Sequence, residues 1–267
     1  MEHITLDANG LRFRCRLDGP EGAPWIVFSN SLLTDLTLWD AQVAALSGRF
    51  RILRYDQRGH GGTEVPQGPT NFDQLAADAE ALMAQVGAER ATFVGVSMGA
   101  ATGLLLAARA PGRVSALIAS DGQAGTAPGG AEAWQERIDA AAKDGMEAIV
   151  EPTLRRWFSP ASLEARNPAI ERVRGMIRGT PEGGFVACVR ALQSYDLRAG
   201  LPHLPQPVLL VAGATDGAMP QTMRRMAEVI PDARYVEIPE AGHLPCVERP
   251  DAFNAAVEAF LAERAGA

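Results

Sequence analysis

The stretch 91–100, ATFVGVSMGA, constrains the fold more than any other part of the chain. Apolar residues run straight into Gly95-Val96-Ser97-Met98-Gly99, and small and apolar residues continue from Ala100 through Ala108. A buried strand that reverses sharply into a helix needs small residues at the turn, because side chains on either side of the reversal would collide. Gly95 and Gly99 supply the room. Ser97, at the apex, is then expected in a strained backbone conformation with its side chain above the end of the sheet and the first helical N–H groups nearby. That is the pattern of a nucleophile elbow, with the Ser97 oxygen exposed and the Met98 N–H available to an oxyanion. The strand and helix patterns on either side carry this reading, since a bare G-x-S-x-G recurs readily in a chain rich in alanine and glycine.

The remaining segments supply a scaffold for such an elbow. Residues 4–17 alternate around Asn9-Gly10, a strong hairpin signal. The continuous apolar run at 25–28 reads as a strand covered on both faces, 51–55 as the next strand, 114–120 as another buried strand, and 208–212 and 234–238 as further strands. Helical spacing is found at 39–46, 72–86, 221–229 and 250–263, with Asn71 or Thr70 able to cap the second. Strand and helix alternate, which predicts a mostly parallel sheet flanked by helices. Between 131 and about 198 only helical patterns occur, at 131–142, 146–158, 169–178 and 184–195. An all-helical insertion has no place inside a parallel sheet, so 122–198 is expected as a helical cap over the strand ends, with 1–121 and 199–267 as the core domain.

A serine hydroxyl needs a general base, and the base needs an acid to hold its tautomer. Of the four histidines, His3 is placed in the first strand, His60 in the glycine-rich loop 56–62 and His203 in a Pro-flanked linker. His243 follows the last predicted strand, which brings it to the same sheet edge as Ser97. Asp216 follows the strand 208–212 at that edge, so the chain order is serine, acid, histidine. The second oxyanion donor is expected from the loop after strand 25–28, with the Leu32 N–H as candidate. Asp56 and Arg58 are read as residues that pin their loop. Trp39, Trp134 and Trp157 are core or pocket wall, the last two favoured as wall.

The net charge of −7 and the absence of a basic patch argue against nucleic acid as a partner. Three cysteines form neither a disulfide framework nor a metal-ligand spacing, no cofactor motif is found, and no apolar run is long enough for a membrane helix. The N-terminus lacks the features of a signal peptide, and a cytoplasmic protein is expected. Monomer and homo-oligomer are both open.

The chain resembles the α/β-hydrolase superfamily along nearly its whole length, and within it the 3-oxoadipate enol-lactonases. The residues concerned are Ser29-Asn30-Ser31-Leu32 with Thr34-Asp35 and Trp39, 54–61 (RYDQRGHG), Gly95-Val96-Ser97-Met98-Gly99, Gly213-Ala214-Thr215-Asp216, and Ala241-Gly242-His243-Leu244 with Val247-Glu248-Arg249-Pro250. The resemblance implies an α/β-hydrolase fold, Ser97 as nucleophile, Asp216 as acid, His243 as base, and Leu32 and Met98 as the oxyanion pair. It also implies an enol-lactone substrate bearing a carboxylate, opened by water. Such an anion needs a cation near the cap, where Arg137, Arg155 and Arg156 are candidates, with solvated helix faces as the alternative. Leu33 stands where a glycine is usual, Ala100 replaces a second glycine, and the loop 120–125 departs from the usual type. Leu33 and that loop are therefore candidate pocket linings, and a carboxylesterase or perhydrolase-like enzyme with another small acyl substrate is the alternative, with a non-catalytic receptor a third.

Overall fold

The computed structural model describes residues 3–265. Eight strands form one sheet in the order β1-β2-β4-β3-β5-β6-β7-β8. These are β1 (Ile4–Ala8), β2 (Leu11–Asp18), β3 (Trp25–Ser29), β4 (Arg51–Tyr55), β5 (Ala91–Val96), β6 (Val114–Ser120), β7 (Val208–Gly213) and β8 (Ala233–Ile238). The β1–β2 and β2–β4 pairs are antiparallel and all others parallel. Asn9 and Gly10 both take positive φ, as a two-residue hairpin turn twisted to match its strands requires. His3 falls just before β1.

The sheet alternates its apolar residues between two cores. Ile26, Phe28, Ile52, Val94 and Ile118 face one side; Val27, Leu53, Phe93 and Leu117 face the other. Helices α2 (Phe72–Gln85), α3 (Met98–Arg109) and α9 (Met219–Val229) cover the second side, through residues such as Met83, Leu106 and Met223. Helix α2 begins at a capping box between Asn71 and Gln74. The first side packs on α1 (Asp40–Leu46), α11 (Pro250–Ala265) and the helical insertion. The predicted helix at 39–46 divides into a 3₁₀ turn, Leu36–Trp39, capped by Asp35, followed by α1.

The insertion holds α4 (Gly130–Asp144), α5 (Glu147–Trp157), α6 (Pro160–Glu164), α7 (Pro168–Gly179) and α8 (Glu182–Gln193). Its two ends meet as a short stem. Gly125 bridges Asp196, the Thr126 N–H donates to the Tyr195 carbonyl at 2.9 Å, and the Leu197 N–H donates to the Ala124 carbonyl at 2.6 Å. Chain departure and return are thus tied together beside β6. Ile138, Val150, Val173 and Phe185 of the insertion belong to the same continuous apolar core as Phe28 and Val94, so these helices are packed onto the sheet side of the molecule.

Strand order reverses at β3, whose neighbours are β4 and β5. The loops leaving β3 and β5 at their carboxyl ends therefore diverge and open a crevice, the usual place for a ligand in such sheets.

Candidate active site

At the elbow, Ser97 has φ +55° and ψ −113°, a conformation that side chains other than glycine rarely adopt. Its surroundings hold it there. A Cβ at Gly95 would lie 2.2 Å from the Gly99 carbonyl oxygen, and one at Gly99 would lie 2.1 Å from that of Ser29. Only glycine permits β5, α3 and the end of β3 to come this close. The Ser97 N–H donates to the Ser120 carbonyl at 2.8 Å, and its carbonyl accepts from the Ala101 N–H at 3.1 Å. Ser97 is half-buried while its neighbours are buried. Four of the six non-glycine residues with positive φ among the described residues, Leu33, Ser97, Asp121 and Glu240, follow strands β3, β5, β6 and β8. Backbone strain is concentrated at the carboxyl edge of the sheet, where functional residues commonly hold it.

Asp216 follows β7 and His243 follows β8, and the two meet. His243 Nδ1 lies 2.7 Å from Asp216 Oδ2, which leaves Nε2 for another partner. The histidine loop is gripped from both sides. The His243 N–H donates to the Trp157 carbonyl at 2.7 Å, the Trp157 and His243 rings stack with centroids 5.7 Å apart, and a Cβ at Gly242 would lie 2.3 Å from the Trp157 oxygen. Buried Glu248 accepts from the Gly242 N–H at 2.7 Å through one oxygen and from the Ser159 N–H at 3.0 Å through the other. Glu248 thus ties the histidine loop to the end of α5, a role that the sequence did not disclose.

The loop after β3 is equally fixed. The Asn30 side chain donates to the Tyr55 carbonyl and accepts from Trp39 Nε1 at 2.8 Å, with Trp39 stacked on Phe28. Trp39 is core, fully buried. Among the described residues, the Leu32 and Met98 N–H groups have no hydrogen-bond acceptor. Leu33 takes φ +64°, which explains why glycine suits this position; leucine there carries roughly 1 kcal/mol of backbone strain. Asp56 accepts from the Leu36 N–H at 2.7 Å and the Gly62 N–H at 2.8 Å, and Arg58 makes a two-pronged pair with Asp78 at 2.6 and 2.8 Å. Both pin loops and neither lines the cavities described next. His60 is fully buried, and burial lowers its pKa to about 4.

Two cavities adjoin beneath the insertion. The inner, about 100 Å³, is lined by Ser97, Asp216 and His243 together with Ser31, Leu32 and Asp121. The outer, about 190 Å³, reaches Leu33, Ile149, Thr153 and Phe185. Trp134, Arg137, Arg156 and Trp157 line both. Arg137 stacks on the Trp134 ring at 4.3 Å, and neither Arg137 nor Arg156 has an acidic partner among the described residues. Arg155 does not join them. On α5 the positions 149, 152, 153 and 156 share the helical face toward the cavity and 155 lies off that stripe; both arginines are exposed, and only Arg156 lines the cavities. The loop 120–125 contributes Asp121, Gly122 and Gln123 to the inner cavity.

One carboxyl was not anticipated. Asp121 is completely buried, and a ring nitrogen of His243 and carboxyl oxygens of Asp121 and Asp216 all lie within 4.8 Å of one another. Such a trio could hold a cation. Here its atoms are engaged within the chain, Asp216 with His243, and Asp121 with the Gly213 N–H at 2.8 Å and the Ser120 hydroxyl at 2.6 Å.

A serine on a strained strand-to-helix turn, with an Asp–His pair delivered by the last two strands of a mostly parallel sheet, places the molecule among the α/β-hydrolases. Residues 24–250 match the alpha/beta hydrolase fold family, to which the chain belongs. It is 34% identical over 267 residues to 3-oxoadipate enol-lactonase 2 of Acinetobacter baylyi, covering 96% of each chain. Among solved structures it resembles the enol-lactonase from Burkholderia xenovorans, with 39% identity and a TM-score of 0.92 over 97% of this chain and 100% of that one. A malate-bound thermophilic esterase from Thermogutta terrifontis is 26% identical, with a TM-score of 0.91 over 98% and 99% of the two chains. No helix among the described residues is long and apolar enough to cross a membrane.

Proposed function

We propose that the chain hydrolyses carboxylic esters through Ser97, and that its substrate is a small lactone bearing a carboxylate, of the 3-oxoadipate enol-lactone type. The observation that carries the reading is the inner cavity. One small space brings together Ser97, the Asp216–His243 pair and two arginines without acidic partners. The two enol-lactonases similar to this chain support the choice of substrate. The segment 122–198 acts as the cap that closes this space, over a core of 1–121 and 199–267, and the reaction takes place in the cytoplasm on a freely diffusing substrate.

The steps follow from the placement of the groups. His243 Nε2 accepts the proton of Ser97 as the oxygen attacks the lactone carbonyl, and Asp216 stabilises the imidazolium through Nδ1. The Leu32 and Met98 N–H groups hold the oxyanion; losing one such donor typically costs about 3 kcal/mol in the transition state. Collapse of the tetrahedral intermediate breaks the ring C–O bond, and His243 returns the proton to the leaving enolate, which stays tethered to the acyl group. Water, deprotonated by His243, then releases the acyl chain as a carboxylate. Arg137 and Arg156 bind the carboxylate that the substrate already carries, and Trp134, Trp157 and Leu33 shape the wall around its carbon skeleton.

The deciding experiment compares kcat/KM for 3-oxoadipate enol-lactone and a neutral aryl ester of similar size, in wild type and Ser97→Ala. The lactone is expected to be preferred by about 100-fold, the order of one or two charge-assisted hydrogen bonds, with both activities lost in the variant. Good ester turnover beside weak lactone turnover would instead favour a carboxylesterase with another acyl group, which the leucine at position 33 would then explain.

A further inference from the structure

We propose that Asp121 and Asp216 form a carboxylic acid–carboxylate pair that shares a single proton, with Asp121 as a neutral positioning residue that donates to the acid of the Ser97–His243–Asp216 site. The inference rests on that site being the catalytic one and adds a residue to it.

The geometry leaves little choice. Asp121 has no exposed surface, and its carboxyl group is brought beside the Asp216 carboxyl and the His243 ring. The backbone holds it there at φ +45°, with the Asp121 N–H donating to the Val211 carbonyl at 2.9 Å, one side-chain oxygen accepting from the Gly213 N–H of the neighbouring strand and the other from the Ser120 hydroxyl. The titratable and charged groups around it are few. From β7 comes Asp216; from the segment after β8 come His243 and the buried Cys246; from β8 comes Tyr235; and across the inner cavity lie Arg137 and Arg156. No arginine or lysine among the described residues forms an ion pair with either carboxylate. Two negative charges this close, one of them completely buried and neither ion-paired with an arginine or lysine among the described residues, would repel each other, and one retained proton removes that repulsion. Burial foremost, then the Asp216 charge, pushes the Asp121 carboxyl well above the usual carboxylate range, in agreement with the geometry.

The consequence for catalysis is electrostatic. A neutral Asp121 that donates to Asp216 keeps the pair at a single negative charge. That single charge holds the ring and stabilises the imidazolium formed during attack. The proton remains within the pair throughout turnover, so no further acid or base is required.

Three readouts test this. A hydrogen/deuterium-sensitive infrared carbonyl band of a protonated carboxylic acid is expected at neutral pH in wild type and absent in Asp121→Asn. Asp121→Ala, which leaves Asp216 without its donor, is expected to lower kcat by about 10- to 100-fold with little change in KM, the range for a hydrogen bond to a charged group. Asp121→Asn, neutral and still a donor, is expected to recover most of that loss and to leave the acid limb of the kcat/KM profile in place. If Asp121 is ionised in the native protein, the band is missing from wild type and Asp121→Asn moves the acid limb downward by a unit or more, because a negative charge beside His243 has gone; either result overturns the pairing. A failure of the catalytic reading itself is separate, since it would appear as turnover that survives Ser97→Ala while the infrared band is unaffected.

Discussion

Replacing Gly99 by alanine tests whether the backbone approach at the elbow sets the geometry of the site. The added Cβ would lie 2.1 Å from the Ser29 carbonyl oxygen, 2.6 Å from its carbon and 2.9 Å from the Asn30 oxygen. All three are backbone atoms, so no side chain can rotate away. The contact must open by more than 1 Å to reach the 3.4 Å of an ordinary one. That opening separates the start of α3, which carries Ser97 and Met98, from the loop that carries Leu32. A misplacement of about 1 Å in a reacting constellation costs on the order of 100-fold in rate. Overpacking costs about 1–3 kcal/mol of stability, partly offset by the better helix propensity of alanine. Gly103, one turn further along α3, is the control. A Cβ there meets Leu117 Cδ1 and Phe93 Cδ1 at 2.7 Å, which are side-chain and not backbone atoms. Gly99→Ala should therefore lower kcat/KM for an activated ester by about 100-fold, and Gly103→Ala by less than about threefold, with melting temperatures recorded for both. Comparable activity in the two variants would refute the link between this contact and the site.

Other consequences are open to direct measurement. Arg137→Ala with Arg156→Ala should raise KM for the carboxylated lactone by about 10- to 100-fold and leave a neutral ester within about twofold; equal effects on both substrates would remove the arginines from anion binding. Leu33→Gly opens the outer cavity and relieves the positive-φ strain, so the ratio of kcat/KM for longer over shorter acyl chains should rise about 10-fold or more. An unchanged chain-length profile would show that Leu33 does not bound the substrate. For His60, burial lowers the pKa from the ordinary 6.5 to about 4, so the unfolded chain binds the extra proton first. The neutral ring therefore supports stability fully above pH 6.5 and loses that contribution as the pH falls toward 4, in total about 3 kcal/mol. His60→Gln should flatten the decline of melting temperature over that interval, and an equally steep decline in the variant would assign the acid sensitivity to other groups.

The fold was readable because its signals are local. Asn9-Gly10 between alternating runs marks the hairpin, Gly95 and Gly99 around Ser97 mark the elbow, and period-2 and period-3.6 patterns distinguish strands from helices. Asn71 rather than Thr70 caps α2 because Gln74 completes the reciprocal box. The helices Pro160–Glu164 and α10 (Pro245–Glu248) were not visible, since four or five residues are too few to display a period. Arg155 and Arg156 are adjacent and chemically identical, and only the helical phase of α5 separates the cavity face from solvent. Asp121 and Glu248 illustrate the harder limit. Each looks like an ordinary acidic residue in its local sequence, and its significance comes from partners on other strands, Gly213 and Asp216 for the first, Gly242 and Ser159 for the second.

The most direct test of Ser97 as the nucleophile is covalent trapping. Incubation with an aryl phosphonofluoridate and peptide mass spectrometry should find one adduct per chain, on the peptide containing Ser97, with activity lost in proportion to labelling and no adduct in Ser97→Ala. His243→Ala should slow labelling by several orders of magnitude, on the order of the losses measured when a triad base is removed. Full inactivation with the adduct on another residue, or activity that persists in a stoichiometrically labelled Ser97 protein, would contradict the assignment of the elbow serine as the reacting group.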